Sequence, residues 1–137
     1  MRAATNWKDF EVLDTSSGEK LERWGDVTLI RPDPQIIWNT PKDGAWKKAD
    51  ARYLRSNAGG GNWDNRSLQK KEWVIEYRDL KFHIRPTGFK HTGLFPEQAV
   101  NWDYMSSKIK DNSDRQLNIL NLFAYTGGAT LACAAAG

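Results

Sequence analysis

The stretch LNILNLFAYTGGATLACAAA, residues 117–136, carries the pattern that decides the fold. Its first part, residues 117–124, is a nearly continuous apolar run, which is typical of a strand buried on both faces of a parallel sheet. Gly127 and Gly128 break this run, and an alanine-rich segment with strong helix-forming character follows them. A strand, a glycine turn and a small-residue helix predict the first unit of a ligand-binding α/β domain.

The glycine turn limits the kinds of ligand that could bind there. Paired glycines let a ligand approach the backbone, and the amides at the start of the helix favour an anionic group. A P-loop needs a lysine after its last glycine, but no lysine or arginine follows Arg115, and the G-x-G-x-x-G dinucleotide fingerprint is also missing. What remains is a ligand that offers a carboxylate, such as the methionine end of S-adenosylmethionine, or a structural turn without a ligand.

The region before this unit predicts a separate, β-rich part. Two apolar runs, residues 10–13 and 27–30, predict strands, and prolines at 32 and 34 are expected to end the second one. Residues 39–67 are rich in Gly, Asn, Asp and Pro and predict a long loop, either functional or a plain surface excursion. We therefore expect a small α+β domain over residues 1–86 and the opening of a Rossmann-type α/β domain over residues 87–137.

Two further elements follow from hydrophobic periodicity. Residues 73–77 and 80–84 alternate as the strands of a hairpin, which places His83 on its exposed face with Lys81 and Arg85. Residues 96–110 predict a helix with Pro96 at its first position. Its apolar stripe is predicted to consist of Val100, Tyr104, Met105 and Ile109.

The positive charge of the chain is concentrated in residues 42–90, called the basic segment below. This segment holds twelve Lys and Arg against six Asp and Glu, whereas the net charge of the whole chain is only +3. It also contains seven aromatic residues: Trp46, Tyr53, Trp63, Trp73, Tyr77, Phe82 and Phe89. Cations that meet phosphates and rings that stack on bases would suit RNA, but a solvated face over an aromatic core explains the same pattern.

Composition also bears on the cellular compartment. The single cysteine, Cys133, cannot form an internal disulfide, and the first nine residues lack the apolar core of a signal peptide. No apolar run is long enough to cross a membrane. The cytoplasm is therefore the expected location, with no membrane contact and no metal site, and the oligomeric state is left open.

Two motifs in the expected order resemble a known family. Residues 121–130, NLFAYTGGAT, closely resemble the first S-adenosylmethionine motif, Asn-x-Phe-x-Tyr-Thr-Gly-Gly, of bacterial class I RNA methyltransferases related to the large-subunit ribosomal RNA cytosine-C5 enzymes. Residues 90–98, KHTGLFPEQ, resemble that family's K-T-G-[FY]-[YF]-x-D-Q element, with His91 inserted and Glu97 in place of the usual aspartate. Residues 19–25 are also similar to S-adenosylmethionine-dependent methyltransferases.

The resemblance implies a cofactor, S-adenosylmethionine, an RNA substrate and a set of binding residues. Tyr125, Thr126, Gly127 and Gly128 would border the methionine portion, with Asn121 and Phe123 beneath or beside it. Phe95, Pro96 and Gln98 would close the pocket from the preceding element. Phe95 and Tyr125 could otherwise be ordinary core aromatics.

The same resemblance implies that catalysis needs residues after Gly137. The second strand of a Rossmann-type sheet and the attacking cysteine of the cytosine-C5 enzymes would lie downstream. Cys133 lies in an alanine-rich helix and is interpreted as a packing residue. No catalytic residue is expected among the 137, so the chain alone is expected to be inactive and either poorly stable or prone to associate.

Two other functions remain open at this point. The basic segment could serve an RNA-binding module without catalysis, which would bind RNA in a salt-sensitive way without any cofactor. A nicotinamide- or flavin-dependent oxidoreductase could use a similar α/β frame, although the missing dinucleotide fingerprint argues against it.

Overall fold

The computed structural model describes residues 3–137. Met1 and Arg2 lie outside the described residues. They are the first two residues of the predicted N-terminal domain and of the segment that lacks the apolar core of a signal peptide. The strands are β1 (Phe10–Ser16), β2 (Glu19–Trp24), β3 (Val27–Pro32), β4 (Ala51–Arg55), β5 (Gly61–Asn65), β6 (Trp73–Tyr77) and β7 (Leu80–Ile84). The helices are α1 (Gly44–Lys47), α2 (Ala99–Lys110) and α3 (Gly128–Ala136), with a 3-10 turn over Pro96–Gln98 just before α2.

The first five strands form one sheet in the order β1-β2-β3-β4-β5. Strands β1, β2 and β3 are antiparallel neighbours because tight turns join them, and Gly18 and Gly25 in those turns have the positive φ angles that glycine adopts readily. Strand β4 pairs with β3 in parallel, and β5 returns antiparallel to β4. The predicted strands at residues 10–13 and 27–30 are confirmed, and the second ends at Pro32 as expected.

The long loop predicted over residues 39–67 is wrong. This region contains α1, β4 and β5, and residues 56–60, which include Gly59 and Gly60, form the turn between the two strands. Strand β2 was not predicted either. These strands are rich in polar residues because much of the sheet is exposed or held by ion pairs, so they lack the apolar alternation by which a strand is recognised.

The hairpin and the following helix agree with the predictions. Strands β6 and β7 pair antiparallel around Arg78-Asp79, and His83 is on the exposed face. The 3-10 turn and α2 together cover residues 96–110. Ile109 of the predicted stripe is buried, but the rest of the buried face of α2 differs, because Tyr104 is exposed whereas Ala99 and Trp102 are buried.

One hydrophobic core runs through both halves of the described chain. It joins Trp24 and Leu29 of the five-stranded sheet to the β6–β7 hairpin, and then to Trp102 of α2 and Ala132 of α3. The division into domains at residue 86 stays a prediction.

The strand predicted over residues 117–124 is not formed in the described structure. The segment has no regular secondary structure, and Leu120, Leu122 and Phe123 are exposed. A parallel strand obtains its hydrogen bonds from neighbouring strands, and no strand among residues 3–137 lies alongside this segment. The mixed α/β composition agrees with the predicted fold class, and α3 forms where a helix was expected.

No helix within residues 3–137 combines the length and the apolar character needed to cross a membrane.

Candidate functional site

The turn before α3 has an unusual backbone conformation at two positions. Tyr125 has a φ of 48° and Gly127 a φ of 92°, so both lie in the left-handed region. The Gly127 N–H donates to the Ala124 carbonyl at 2.7 Å, and the Gly127 carbonyl accepts from the Leu131 N–H at 2.8 Å. A side chain at Gly127 would meet no heavy atom within 4 Å. The turn therefore faces open space at this glycine.

Gly128, the first residue of α3, has a different surrounding. A Cβ atom at this position would lie 3.0 Å from Cζ2 of Trp102 and 3.7 Å from Cδ1 of Leu94. The absence of a side chain lets α3 pack closely on α2. No side chain caps the start of α3, and the first N–H groups of a helix have no partner inside the helix. The helix start is thus suited to an anionic group.

A cavity of about 300 Å³ lies between this turn and the segment before α2. Six of the nine predicted binding residues line it: Phe95, Gln98, Phe123, Tyr125, Thr126 and Gly128. Leu94, Trp102, Ala124 and Ala129 complete the lining. The structure therefore brings together the two sequence motifs that resemble the methyltransferase family.

A hydrogen bond and a row of rings connect the two motifs. The Thr126 hydroxyl donates to the Gly93 carbonyl at 2.5 Å. The ring centroids of Phe95 and Tyr125 are 4.8 Å apart, and the ring of His91 lies 5.3 Å from that of Phe95. Phe95 and Tyr125 thus contact each other at the cavity, and the side chain of Tyr125 is exposed.

Three of the predicted residues do not line this cavity: Asn121, Pro96 and Gly127. The amide of Asn121 donates to the Thr130 hydroxyl at 2.9 Å and so ties residue 121 to the first turn of α3. Pro96 is buried and its carbonyl accepts from the indole N–H of Trp7 at 2.9 Å. Phe123 is 93 % exposed, so most of its ring surface faces solvent.

A buried ion pair supports the segment before α2. The carboxylate of Glu22 accepts from Nε of Arg31 at 2.6 Å and from Nη2 at 2.9 Å. Nη1 of Arg31 donates to the Lys90 carbonyl at 3.2 Å, three residues before Gly93. Sequence reasoning missed this contact, because β2 was not predicted and charged residues are seldom buried.

Trp102 was also missed as a cavity residue. It is buried beneath Gly128 and lies three residues after Ala99 and seven before Ile109, the spacing of one helix face. That spacing is the signal that could have identified it.

Two titratable groups near the site are perturbed. Burial, and then the positive charges of Lys90 and Arg31, lower the pKa of His91 below its ordinary value, so the ring is neutral at neutral pH. Burial raises the pKa of the Cys133 thiol, whose sulfur lies 3.8 Å from that of Met105. A buried thiol with a raised pKa is a poor nucleophile, which agrees with a packing role.

No metal site is apparent in the part of the chain that the structure describes. Among residues 3–137, no three His, Cys, Asp or Glu side chains come together as metal ligands.

The aromatic residues of the basic segment are mostly part of the core. Five of the seven are buried: Trp46, Tyr53, Trp73, Tyr77 and Phe82. Trp63 is partly buried, and Phe89 is exposed. Most of these rings therefore cannot stack on a base.

Comparison with known proteins places this geometry in context. No protein-family profile matches the chain. A crystal structure of an S-adenosylmethionine-dependent methyltransferase from Agrobacterium tumefaciens is similar over 96 % of the chain, with a TM-score of 0.87 and 38 % sequence identity. Our chain covers 42 % of that protein. Residues 3–137 thus share the fold of part of a methyltransferase structure.

Two curated relatives are named ribosomal RNA large subunit methyltransferase K/L. The chain is 34 % identical over 79 residues to the protein from Shewanella frigidimarina and 26 % identical over 104 residues to the one from Magnetococcus marinus. These matches cover 58 % and 76 % of our chain. The chain spans only 10 % and 13 % of the length of these relatives.

Proposed function

We propose that the full-length protein is an S-adenosylmethionine-dependent methyltransferase that acts in the cytoplasm on a base of ribosomal RNA. The observation that carries this proposal is the turn before α3, where left-handed Gly127 faces open space beside a cavity of about 300 Å³. The similarity to the Agrobacterium methyltransferase supports the cofactor. The similarity to the two ribosomal RNA methyltransferases supports the substrate.

The residues of the turn fit the methionine portion of the cofactor. Tyr125, Thr126, Gly127 and Gly128 would border it, and the N–H groups at the start of α3 would favour its carboxylate. The open space at Gly127 leaves room for a ligand close to the backbone. The hydrogen bond between Thr126 and the Gly93 carbonyl would keep the turn in place.

The flanking residues would complete the pocket. Asn121 would hold the turn against the first residues of α3 through its bond to Thr130, with Phe123 at the outer edge of the cavity. Phe95 and Gln98 would close the opposite wall, and buried Pro96 would fix the start of the 3-10 turn. When bound, S-adenosylmethionine supplies an electrophilic methyl group for a nucleophilic atom of the base.

We assign no catalytic role to any residue of this chain. The motif at residues 121–128 supports kinship with the cytosine-C5 enzymes, whose attacking cysteine would follow this part of the sequence. Cys133 does not fill that role because it is buried and its pKa is raised. The chain would thus supply part of the cofactor pocket and of the RNA contact.

Transfer of a tritiated methyl group from S-adenosylmethionine to unmodified large-subunit ribosomal RNA tests the proposal. We expect incorporation with the full-length protein and none with a polypeptide limited to residues 1–137. Incorporation by the shorter polypeptide would contradict the absence of catalytic residues from it. If the full-length protein binds the cofactor but labels no RNA, the assigned substrate is wrong.

The second candidate function is an RNA-binding module without catalysis, based on the basic segment. The exposure of Phe89 beside Lys90 favours an RNA contact at this segment. Full-length protein that binds RNA in a salt-sensitive way but shows no affinity for S-adenosylmethionine would favour this candidate over the enzyme.

A further inference from the structure

Two aromatic side chains hold the segment at residues 87–89. The hydroxyl of Tyr53 donates to the Gly88 carbonyl at 3.1 Å, and the indole N–H of Trp63 donates to the Thr87 carbonyl at 2.8 Å. The two rings pack edge to face, with centroids 5.4 Å apart. The Thr87 hydroxyl accepts from the Phe89 N–H at 3.3 Å. These contacts give the backbone around Phe89 a defined position on β4 and β5.

The ring of Phe89 itself is presented to solvent. It is 67 % exposed, although four hydrogen bonds hold the backbone on either side of it. A flat ring on a supported loop presents a face on which an unpaired base can stack. Its position therefore suits an exposed nucleobase.

Lys90, the residue after Phe89, places a positive charge beside this segment. Burial, and then the positive charges of Arg55, Arg31 and Lys20, lower the pKa of Lys90 below its ordinary value. Asp33 partly compensates, and Arg31 and Lys20 contact the buried Glu22. Within residues 3–137, neither Arg55 nor Lys90 forms an ion pair. Arg55 follows Tyr53 by two residues on β4 and so lies on the same face, and Tyr53 contacts Gly88, so Arg55 and Lys90 both belong to the surface around this segment.

This surface is connected to the candidate cofactor cavity. Lys90 is followed by His91, whose ring contacts that of Phe95 at 5.3 Å, and Phe95 contacts Tyr125 at 4.8 Å in the cavity wall. An RNA strand that crosses Phe89 and Lys90 would therefore lie next to the cavity. A neighbouring nucleotide of that strand would be in a position to enter it.

We propose that Arg55, Phe89 and Lys90 form a docking surface for a single-stranded segment of the RNA substrate. Arg55 and Lys90 contact its phosphates, and Phe89 stacks on one unpaired base. A double helix keeps its bases stacked on one another and offers none to Phe89. This inference rests on the proposed function, because it assigns the substrate contact beside the same cavity.

Fluorescence anisotropy with a fluorescein-labelled oligouridine strand and the full-length protein tests the stacking contact. Phe89→Leu is expected to weaken binding by about tenfold, because leucine keeps the apolar surface but not the flat ring. Phe89→Tyr keeps the ring and should bind like the wild type. Equal binding by the wild type and Phe89→Leu would overturn the stacking contact, as would equal binding of a matched RNA duplex.

The phosphate contacts are tested through the salt dependence of the same binding. Arg55→Gln and Lys90→Gln should each reduce the slope of log K against log salt by about 0.7. Lys71→Gln is the control, because it removes one positive charge at a different place on the molecule. Lys70, next to Lys71, contacts Asp26 just before the start of β3, whereas Lys90 contacts Pro32 at the end of β3. An equal change in Lys71→Gln would overturn the assignment of these two cations.

Calorimetry with S-adenosylmethionine separates failure of this inference from failure of the proposed function. Phe89→Leu and Arg55→Gln should keep the cofactor affinity of the wild type while losing RNA affinity. If all variants bind the cofactor normally and bind RNA as the wild type does, the docking surface is wrong and the proposed function still stands. If the folded wild type binds no cofactor, the enzyme proposal fails, and loss of RNA binding in the variants would still support the surface.

Discussion

The free energy of unfolding is expected to fall by about 3–5 kcal/mol when Arg31 is replaced by methionine. The carboxylate of Glu22 is fully buried and takes two hydrogen bonds from the Arg31 guanidinium. Removal of the guanidinium would leave a buried charge whose nearest cation is Lys20, with Nζ 3.3 Å from Oε1. It would also remove the donor to the Lys90 carbonyl, beside the proposed RNA surface.

Urea denaturation of the full-length protein, followed by tryptophan fluorescence, measures this loss. Arg52→Met is the matched control, since Arg52 lies on the adjacent strand and pairs with Glu19 at 2.8 Å with 38 % of its side chain exposed. Its loss should stay below about 1 kcal/mol. The double variant Glu22→Gln with Arg31→Met should recover part of the stability, and no recovery would contradict the role of the buried Glu22 charge.

Replacement of Trp102 by alanine is expected to cost about 3–5 kcal/mol of the same free energy. Trp102 is 3 % exposed and stacks on Phe82 with centroids 5.1 Å apart. It also packs edge to face with Trp7 and Tyr77, and Gly128 lies directly against it. Loss of the indole would leave a cavity where α2, α3 and the β6–β7 hairpin meet.

The same denaturation experiment tests this value with two graded controls. Trp102→Phe should lose less than Trp102→Ala because a ring remains against Phe82. Val74→Ala truncates a half-exposed residue of β6, so its loss should remain below about 1 kcal/mol. A loss in Trp102→Ala no larger than in Val74→Ala would show that Trp102 does not organise this core.

Elements with strong local signals could be predicted from the sequence. The β6–β7 hairpin alternates apolar and polar residues, and its two strands have the expected bounds although Arg78, with a φ of 53°, occupies a position that usually favours Asn or Gly. The helix after Pro96 was indicated by proline, an acidic first turn and lysines in the last turn.

Elements that depend on distant partners could not be predicted. Strand β2 carries Glu22, and this carboxylate can be buried because Arg31 of β3 forms an ion pair with it. Residues 117–124 have the composition of a buried strand but lack a neighbouring strand within the described chain, so composition alone gave the wrong element. The motifs did indicate that Phe95 and Tyr125 belong to one site, whereas the support of that site by Trp102 and Arg31 required the structure.

Calorimetric titration of the full-length protein with S-adenosylmethionine tests the central claim most directly. Gly127 and Gly59 both have a φ of 92° and open space at the Cβ position, and Gly59 belongs to the β4–β5 turn. Asparagine tolerates this left-handed conformation, so Gly127→Asn and Gly59→Asn should place the same conformational demand on the backbone. Only Gly127→Asn adds a side chain at the proposed cofactor site. We predict saturable binding by the wild type and Gly59→Asn, weakened at least about tenfold in Gly127→Asn. Equal affinity in both variants, or no binding by the folded wild type, would contradict the assignment of this turn to the cofactor.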